Sequence, residues 1–142
     1  LVTARRRRQV EPEDLAARSI FTMKQDVKLL GRNIVPVGVR YLREVFERRA
    51  LDPARIDHML VHLSSMFFRE RLHDEMAAQG IGVPLDKWFV NLPQVGNVGS
   101  ASIFLQLRDL LAGGHVQKGQ QVLLMVPESA RFSYAFALLT VV

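Results

Sequence analysis

Apolar residues recur at steps of three and four from about Asp26 to Arg49: Val27, Leu30, Ile34, Val37, Tyr41, Leu42, Val45 and Phe46. That spacing predicts a helix with one buried stripe. Gly31, Pro36 and Gly38 interrupt the pattern, which leaves a kink or a split into two helices open. Asp52-Pro53 predicts one short helical turn. The run His58–Leu63 suits a buried strand. A helix is expected from about Ser65, which can cap it, to Gln79, with Gly80 as the stop and Phe67, Phe68, Leu72 and Met76 facing inward. Ile81–Asp86 reads as a loop and Trp88–Asn91 as strand-like. Gln121–Val126 and Phe132–Val142 are apolar, β-branched-rich runs separated by P-E-S-A-R. They predict a hairpin at the heart of a sheet, apolar enough to be covered on both faces. Ser19–Met23 suits a short strand, and residues 1–18 read as a basic arm or linker ahead of a folded domain over 19–142. Alternating helices and buried strands indicate an α/β layered fold.

The stretch Asn91–Phe104, N-L-P-Q-V-G-N-V-G-S-A-S-I-F, does not fit either period. It reads as a tight glycine loop running into a buried helix over about Gly99–Ala112, ended by Gly113-Gly114. Gly96 and Gly99 flank Asn97 and let the backbone turn sharply, bringing the amide into a confined space. Ile103, Phe104, Leu105, Leu107, Leu110 and Leu111 continue at helical spacing as the helix's apolar body. An amide at the positive end of a helix is a ready donor to developing negative charge. The plainer alternative is an Asn that only satisfies its own turn. His62 ends a predicted strand just before a helix, where ligand sites form in α/β sheets, although a structural role is also open to it. His58 and His73 read as surface residues, and His115 lies in a loop. Glu128 and Arg131 read as an internal ion pair as readily as a site. No H-E-x-x-H, phosphate-binding loop or G-x-S-x-G occurs.

Charge and composition narrow the classes. The formal charge of +5 would suggest nucleic acid, but Arg5, Arg6, Arg7 and Arg8 supply four of those charges, and the rest of the chain holds 15 basic and 14 acidic side chains. The basicity thus belongs to one short arm, and no nucleic-acid partner is expected. The chain has no cysteine, hence no disulfide and no thiolate metal site; this fits a cytoplasmic protein, and no metal is expected. No apolar run reaches the ~18 residues of a membrane span. A start at Leu1 without a signal-peptide run reads as a processed or partial chain.

Three segments in order carry a resemblance: I-D-H-M-L-V-H (56–62), W-F-V-N-L-P-Q-V-G-N-V-G-S-A-S (88–102) and G-Q-Q-V-L-L-M-V (119–126). Together they resemble the C-terminal half of a β-ketoacyl-acyl carrier protein synthase III, of the thiolase-like superfamily, over about Phe21 to Val142. The resemblance implies one half of a layered αβαβα fold with a mixed sheet covered by helices. It implies acyl transfer from acyl carrier protein or coenzyme A thioesters, with no separate cofactor and no metal. It also implies that His62 and Asn97 are two members of a Cys-His-Asn triad whose cysteine sits on an N-terminal half. In such chemistry a His N–H and an Asn amide stabilise the oxyanion formed when a malonyl thioester loses carbon dioxide. Ala130 matches the position whose N–H helps bind the acyl oxyanion.

The chain departs from the family pattern. The usual Pro-His-Gln-Ala-Asn is Val61-His62-Leu63-Ser64-Ser65, so Ser65 replaces an Asn that contacts substrate or the pantetheine arm. Phe67 replaces a basic residue, with Arg69 and Arg71 nearby as carrier- or coenzyme-A-binding candidates. The glycine-rich turn becomes Pro127-Glu128-Ser129-Ala130-Arg131-Phe132-Ser133. This pattern is similar to divergent members of secondary metabolism, polyketide pathways included, some of which transfer an acyl group to a hydroxyl or amine without decarboxylation. A non-catalytic partner subunit of a ketosynthase is the other alternative. Either way the expected partners are the thioester substrate and a cysteine-bearing half, in a homodimer or heterodimer. Ser64, Ser65 and Ser129 lack an obvious adjacent base that would make one of them the nucleophile.

Overall fold

The computed structural model describes residues 25–142. The expected arm over 1–18 and the expected strand Ser19–Met23 lie outside the described residues. The chain opens with α1 (Val27–Arg49), started by Asp26, whose carboxylate accepts the Leu29 N–H at 2.9 Å. Its buried stripe is Val35, Gly38, Val39, Leu42 and Phe46. The interruption at Pro36 neither ends the helix nor splits it in two. Pro36 sits on the exposed side, where water can take the carbonyl that its missing N–H leaves free, while the stripe holds the opposite side to the core. Ala50 ends α1 in the left-handed conformation, φ 49°, and the Leu51 N–H donates to the Phe46 carbonyl at 2.9 Å. Asp52 caps a single 3-10 turn, Pro53–Arg55, as its sequence predicts.

Four strands follow: β1 (His58–Val61), β2 (Trp88–Phe89), β3 (Gln121–Glu128) and β4 (Ser133–Thr140). The sheet order is β2-β1-β3-β4, with β1 parallel to both neighbours and β4 antiparallel to β3. α2 (Phe67–Ala78), the single-turn α3 (Leu92–Val95) and α4 (Ser102–Ala112) complete the chain. α1 and α2 cover one face, where Val39, Leu42, Leu72 and Met76 meet Met59, Val61, Leu123 and Met125. α4 covers the other, where Ile103 and Leu110 meet Leu60 and Val122. Successive residues of β1 therefore feed two cores, as a strand covered on both faces must.

Several expectations need correction. The hairpin is present, but only β3 is central; β4 is an edge among the described residues. Its residues alternate, with Tyr134, Phe136 and Leu138 against the α1 side and Ala135, Ala137 and Leu139 exposed. Of the two hairpin strands, only β3 is covered on both faces. Phe67 does not join the inner face of α2: it is 64% exposed, because Phe68, Leu72 and Met76 already fill that side. Phe104 and Leu111 on α4 are 71% and 49% exposed, being rotated away from the Ile103–Gln106–Leu110 face. His58 and His73 are half-buried, His58 within 3.1 Å of Gln120 and His73 within 3.1 Å of Asp74.

α1 sits against the hairpin at Gly38, where an added Cβ would lie 2.6 Å from Tyr134 Cε1 and 3.0 Å from Met125 Cε. The Tyr134 ring has little room to retreat, because its hydroxyl donates to the Ile34 carbonyl at 2.7 Å. Burial against α1 and the hairpin pushes the Tyr134 phenol up to about 12. Gly38→Ala brings the helix-propensity gain of ~1 kcal/mol, against an overpacking cost of about 1–3 kcal/mol. The expected net result is a loss of about 1 kcal/mol in urea unfolding; a stabilised variant would contradict this packing.

Candidate functional site

His62 lies one residue past β1, and its backbone N–H donates to the Met125 carbonyl at 2.9 Å. The ring is half-buried, and desolvation by that burial lowers its pKa from the ordinary 6.5. The imidazole is therefore neutral at neutral pH, with one N–H to donate. Its Nδ1 is buried with no hydrogen-bond partner among the described residues.

Asn97 arrives from another element. α3 ends at Gly96, φ 72°, whose N–H closes on the Leu92 carbonyl at 2.9 Å. Gly99, φ 61°, turns the chain again into the 3-10 turn Gly99–Ala101 that leads to α4. Both angles are ones a side chain with a Cβ rarely adopts. Between them the Asn97 Oδ1 accepts the Gly99 N–H at 3.0 Å. The amide thus satisfies its own turn, which was the plainer alternative, and that bond fixes which way it faces: with Oδ1 engaged, Nδ2 is the free donor. Asn97 is exposed rather than confined. The loop carries it to a rim, not into the interior.

His62 and Asn97 line one cavity of about 230 Å³. Its polar rim also includes Ser64, Ser129 and Gln25, and the Gln25 amide donates to Ser129 Oγ at 3.2 Å. Its apolar wall comes from α1, α2 and β3 through Ile34, Phe68 and Met125. The arrangement offers two neutral N–H donors beside an apolar slot. Among the described residues no group of three His, Asp or Glu could hold a metal ion. No helix among them is long and apolar enough to cross a membrane.

The other candidates stand elsewhere. Ala130 is not on the cavity, and its N–H donates to Glu128 Oε1 at 2.7 Å. The same carboxylate accepts the Arg131 N–H and the Ser133 hydroxyl, each at 3.0 Å. The Ala130 N–H leads the groups that hold the Glu128 carboxyl below its usual range, opposed by desolvation and aided by Ser133 and Arg131. So Glu128 engages Arg131 through its backbone N–H. Ser65 Oγ accepts the Phe67 N–H at 3.2 Å and serves the start of α2, while its neighbour Ser64 reaches the cavity. Arg69 is half-buried, with its guanidinium on the Leu85 carbonyl at 3.1 Å. Arg71 is exposed, stacks 4.9 Å from the Phe67 ring centroid and donates to the Gly31 carbonyl at 3.3 Å. Sequence reasoning passed over Gln106, whose Nε2 donates to the Val61 carbonyl at 3.0 Å; its one signal was a polar residue within an apolar helical stripe.

Comparison with known proteins follows this geometry. Residues 46–140 match the family model described as 3-oxoacyl-[acyl-carrier-protein (ACP)] synthase III C terminal. The chain is 30% identical over 109 residues to a beta-ketoacyl-[acyl-carrier-protein] synthase III of Deinococcus deserti, covering 74% of this chain and 30% of that one. It is 32% identical over 117 residues to a beta-ketoacyl-[acyl-carrier-protein] synthase III 3 of Streptomyces coelicolor, covering 80% and 31%. Among solved structures, the synthase III of Thermus thermophilus superposes with TM-score 0.67 at 26% identity, covering 83% of this chain and 35% of that one. OleA of Xanthomonas campestris, in structures with bound lauric acid and lauroyl-CoA, superposes with TM-score 0.73 at 18% identity, covering 85% and 34%; this likeness concerns the fold. The mixed sheet between helices is that of one half of a thiolase-like α/β fold. The chain spans about a third of the length of the relatives it matches.

Burial of His62 sets a pH dependence. Its lowered pKa means that the unfolded chain takes up a proton the folded chain resists. The His62 contribution is therefore harmless above the ordinary value of 6.5 and costs stability as pH falls through and below it. His62→Gln is expected to flatten the fall in melting temperature between about pH 7 and pH 5. An acid-side slope equal to that of the wild type would show that the ring is not desolvated in the folded protein.

Proposed function

Because the chain belongs to the 3-oxoacyl-[acyl-carrier-protein] synthase III family, matching its C-terminal domain, we propose that it supplies the His62 and Asn97 donors of an acyl-transferring active site. The nucleophilic cysteine comes from a second half, of the same polypeptide or of a partner subunit. The observation that carries this reading is that His62, from the end of β1, and Asn97, from the loop before α4, line one cavity.

The chemistry then runs in two steps. A cysteine thiolate attacks the carbonyl carbon of an acyl thioester; the carbon–sulfur bond to coenzyme A or the carrier breaks, and that thiolate leaves with a proton from solvent. Next, a malonyl thioester loses carbon dioxide, and the electron pair of the broken carbon–carbon bond passes to the thioester oxygen. The His62 N–H and Asn97 Nδ2–H stabilise that oxyanion. The carbanion carbon attacks the acyl-cysteine, and the cysteine thiolate is released. Neutral His62 suits this role because it donates without having to lose or gain a proton.

The outer side of α4 supports the second half. Phe104 and Leu111 put two large apolar side chains on the exposed side of that helix, flanking Arg108. The occupant proposed for this face is the cysteine-bearing half. The turn over residues 127–133, which is not glycine-rich, favours a second reading, transfer to a hydroxyl or amine acceptor without decarboxylation. Pro127 and Ser129 line the cavity, while the Glu128 carboxylate between them in sequence is engaged by the Ala130 and Arg131 N–H groups of its own turn. For an acidic carrier protein, Arg71 is the docking candidate, since Arg69 is held by Leu85.

In the complete protein, Asn97→Ala is expected to lower malonyl decarboxylation by roughly a hundredfold, the scale of one lost oxyanion donor. Full decarboxylation in that variant would remove Asn97 from the site. Arg71→Glu is expected to weaken carrier binding and reduce its salt dependence while turnover of coenzyme A thioesters is kept. Equal carrier affinity in wild type and variant would move docking elsewhere.

A further inference from the structure

His62 reaches the cavity only if the end of β1 is held. On one side the ladder is complete, from His58↔Val122 to Val61↔Met125, and the His62 N–H extends it to the Met125 carbonyl. On the other side it is short. β2 has two residues, and its last pair is Leu60↔Phe89. Peptide groups alternate along a strand, so with His62 bonded toward β3, the Val61 carbonyl turns toward the β2 side. It lies there past the last strand pair. Gln106 of α4 takes its place: Nε2 donates to the Val61 carbonyl at 3.0 Å, bridging 45 positions of sequence.

That contact is not ordinary packing. Gln106 is 3% exposed and lies between Ile103 and Leu110 on the buried face of α4, where an aliphatic side chain would fill the space without desolvating an amide. Its own Oε1 is buried with no partner, and so is Ser102 Oγ, one turn earlier on the same face. His62 Nδ1 is the third such atom among the described residues. Half-satisfied buried amides are costly, and departures of this kind concentrate where function constrains the chain. Here the satisfied half of the amide holds the peptide immediately before His62.

We propose that Gln106 is a positioning residue for His62: its clasp on the Val61 carbonyl fixes the strand end from which the imidazole projects into the cavity. The proposal rests on the reading of His62 as a donor in acyl transfer. It is tested in the complete protein with Gln106→Leu and Gln106→Ala, both of which remove donor and orphan oxygen together. Hydrogen exchange read by mass spectrometry is expected to be tenfold or more faster in peptides spanning His58–Leu63 in both variants, with exchange in α1 within about twofold of wild type. The accompanying expectation is a kcat at least tenfold lower with KM within about twofold. Gln106→Met replaces Gln106→Leu if the latter does not fold. Unchanged exchange over His58–Leu63 in the folded variants overturns the clasp. Faster exchange with unchanged kcat overturns the positioning role where His62→Ala abolishes turnover. If His62→Ala leaves turnover intact, the acyl-transfer reading fails instead, and exchange alone decides whether Gln106 holds this strand end.

Discussion

The parallel ladder between β1 and β3, extended by the His62 N–H on the Met125 carbonyl at 2.9 Å, is the contact on which the other features depend. Met59 and Val61 point from it into the core under α1 and α2, and Leu60 points into the core under α4. The strand is only four residues long, so its register is set by burial on both faces: a slip of one residue would exchange the two cores. The same register places His62 at the carboxyl end of a sheet, outside the ladder but still tied to it. The cavity forms where the helices α1 and α2 part around that end.

Much of this arrangement was legible in the sequence because the signals were local. A stepped apolar stripe from about Asp26 indicated α1, Asp52-Pro53 its following turn, and Gly96 and Gly99 around Asn97 the sharp loop before α4. Non-local facts were harder to see. β3 and β4 are similarly apolar, and nothing in their composition says that one is central and the other an edge. Phe104 and Leu111 match the helical period as well as Ile103 and Leu110 do, yet only the latter meet the sheet within this chain. At the candidate site, the shared cavity of His62 and Asn97 followed from a strand end and a glycine loop. The positions of Ala130, Ser65, Arg69 and Arg71 did not, because each is decided by one hydrogen bond: Ala130 to Glu128, Phe67 to Ser65, Arg69 to Leu85 and Arg71 to Gly31.

The half-fold divides the chemistry unevenly. This chain carries neutral donors and an apolar slot, both suited to stabilising charge on a thioester oxygen, but it has no thiol. Its outward apolar residues on α4 and β4, an edge among the described residues, are the surfaces a second half would cover. Glu128 stands in the turn that departs from the glycine-rich pattern, and its carboxylate holds that turn through the Ala130 and Arg131 N–H groups.

The central claim is that the chain stabilises acyl-transfer intermediates whose covalent attachment lies elsewhere. Its most direct test is to incubate the complete protein, and separately this chain, with an acyl-coenzyme A and to map the covalent adduct by peptide mass spectrometry. The account predicts a stoichiometric adduct on a cysteine outside residues 1–142 and none on the isolated chain, which has no cysteine of its own. A stoichiometric acyl group on any residue of this chain, Ser64 and Ser129 at the cavity rim included, would contradict it.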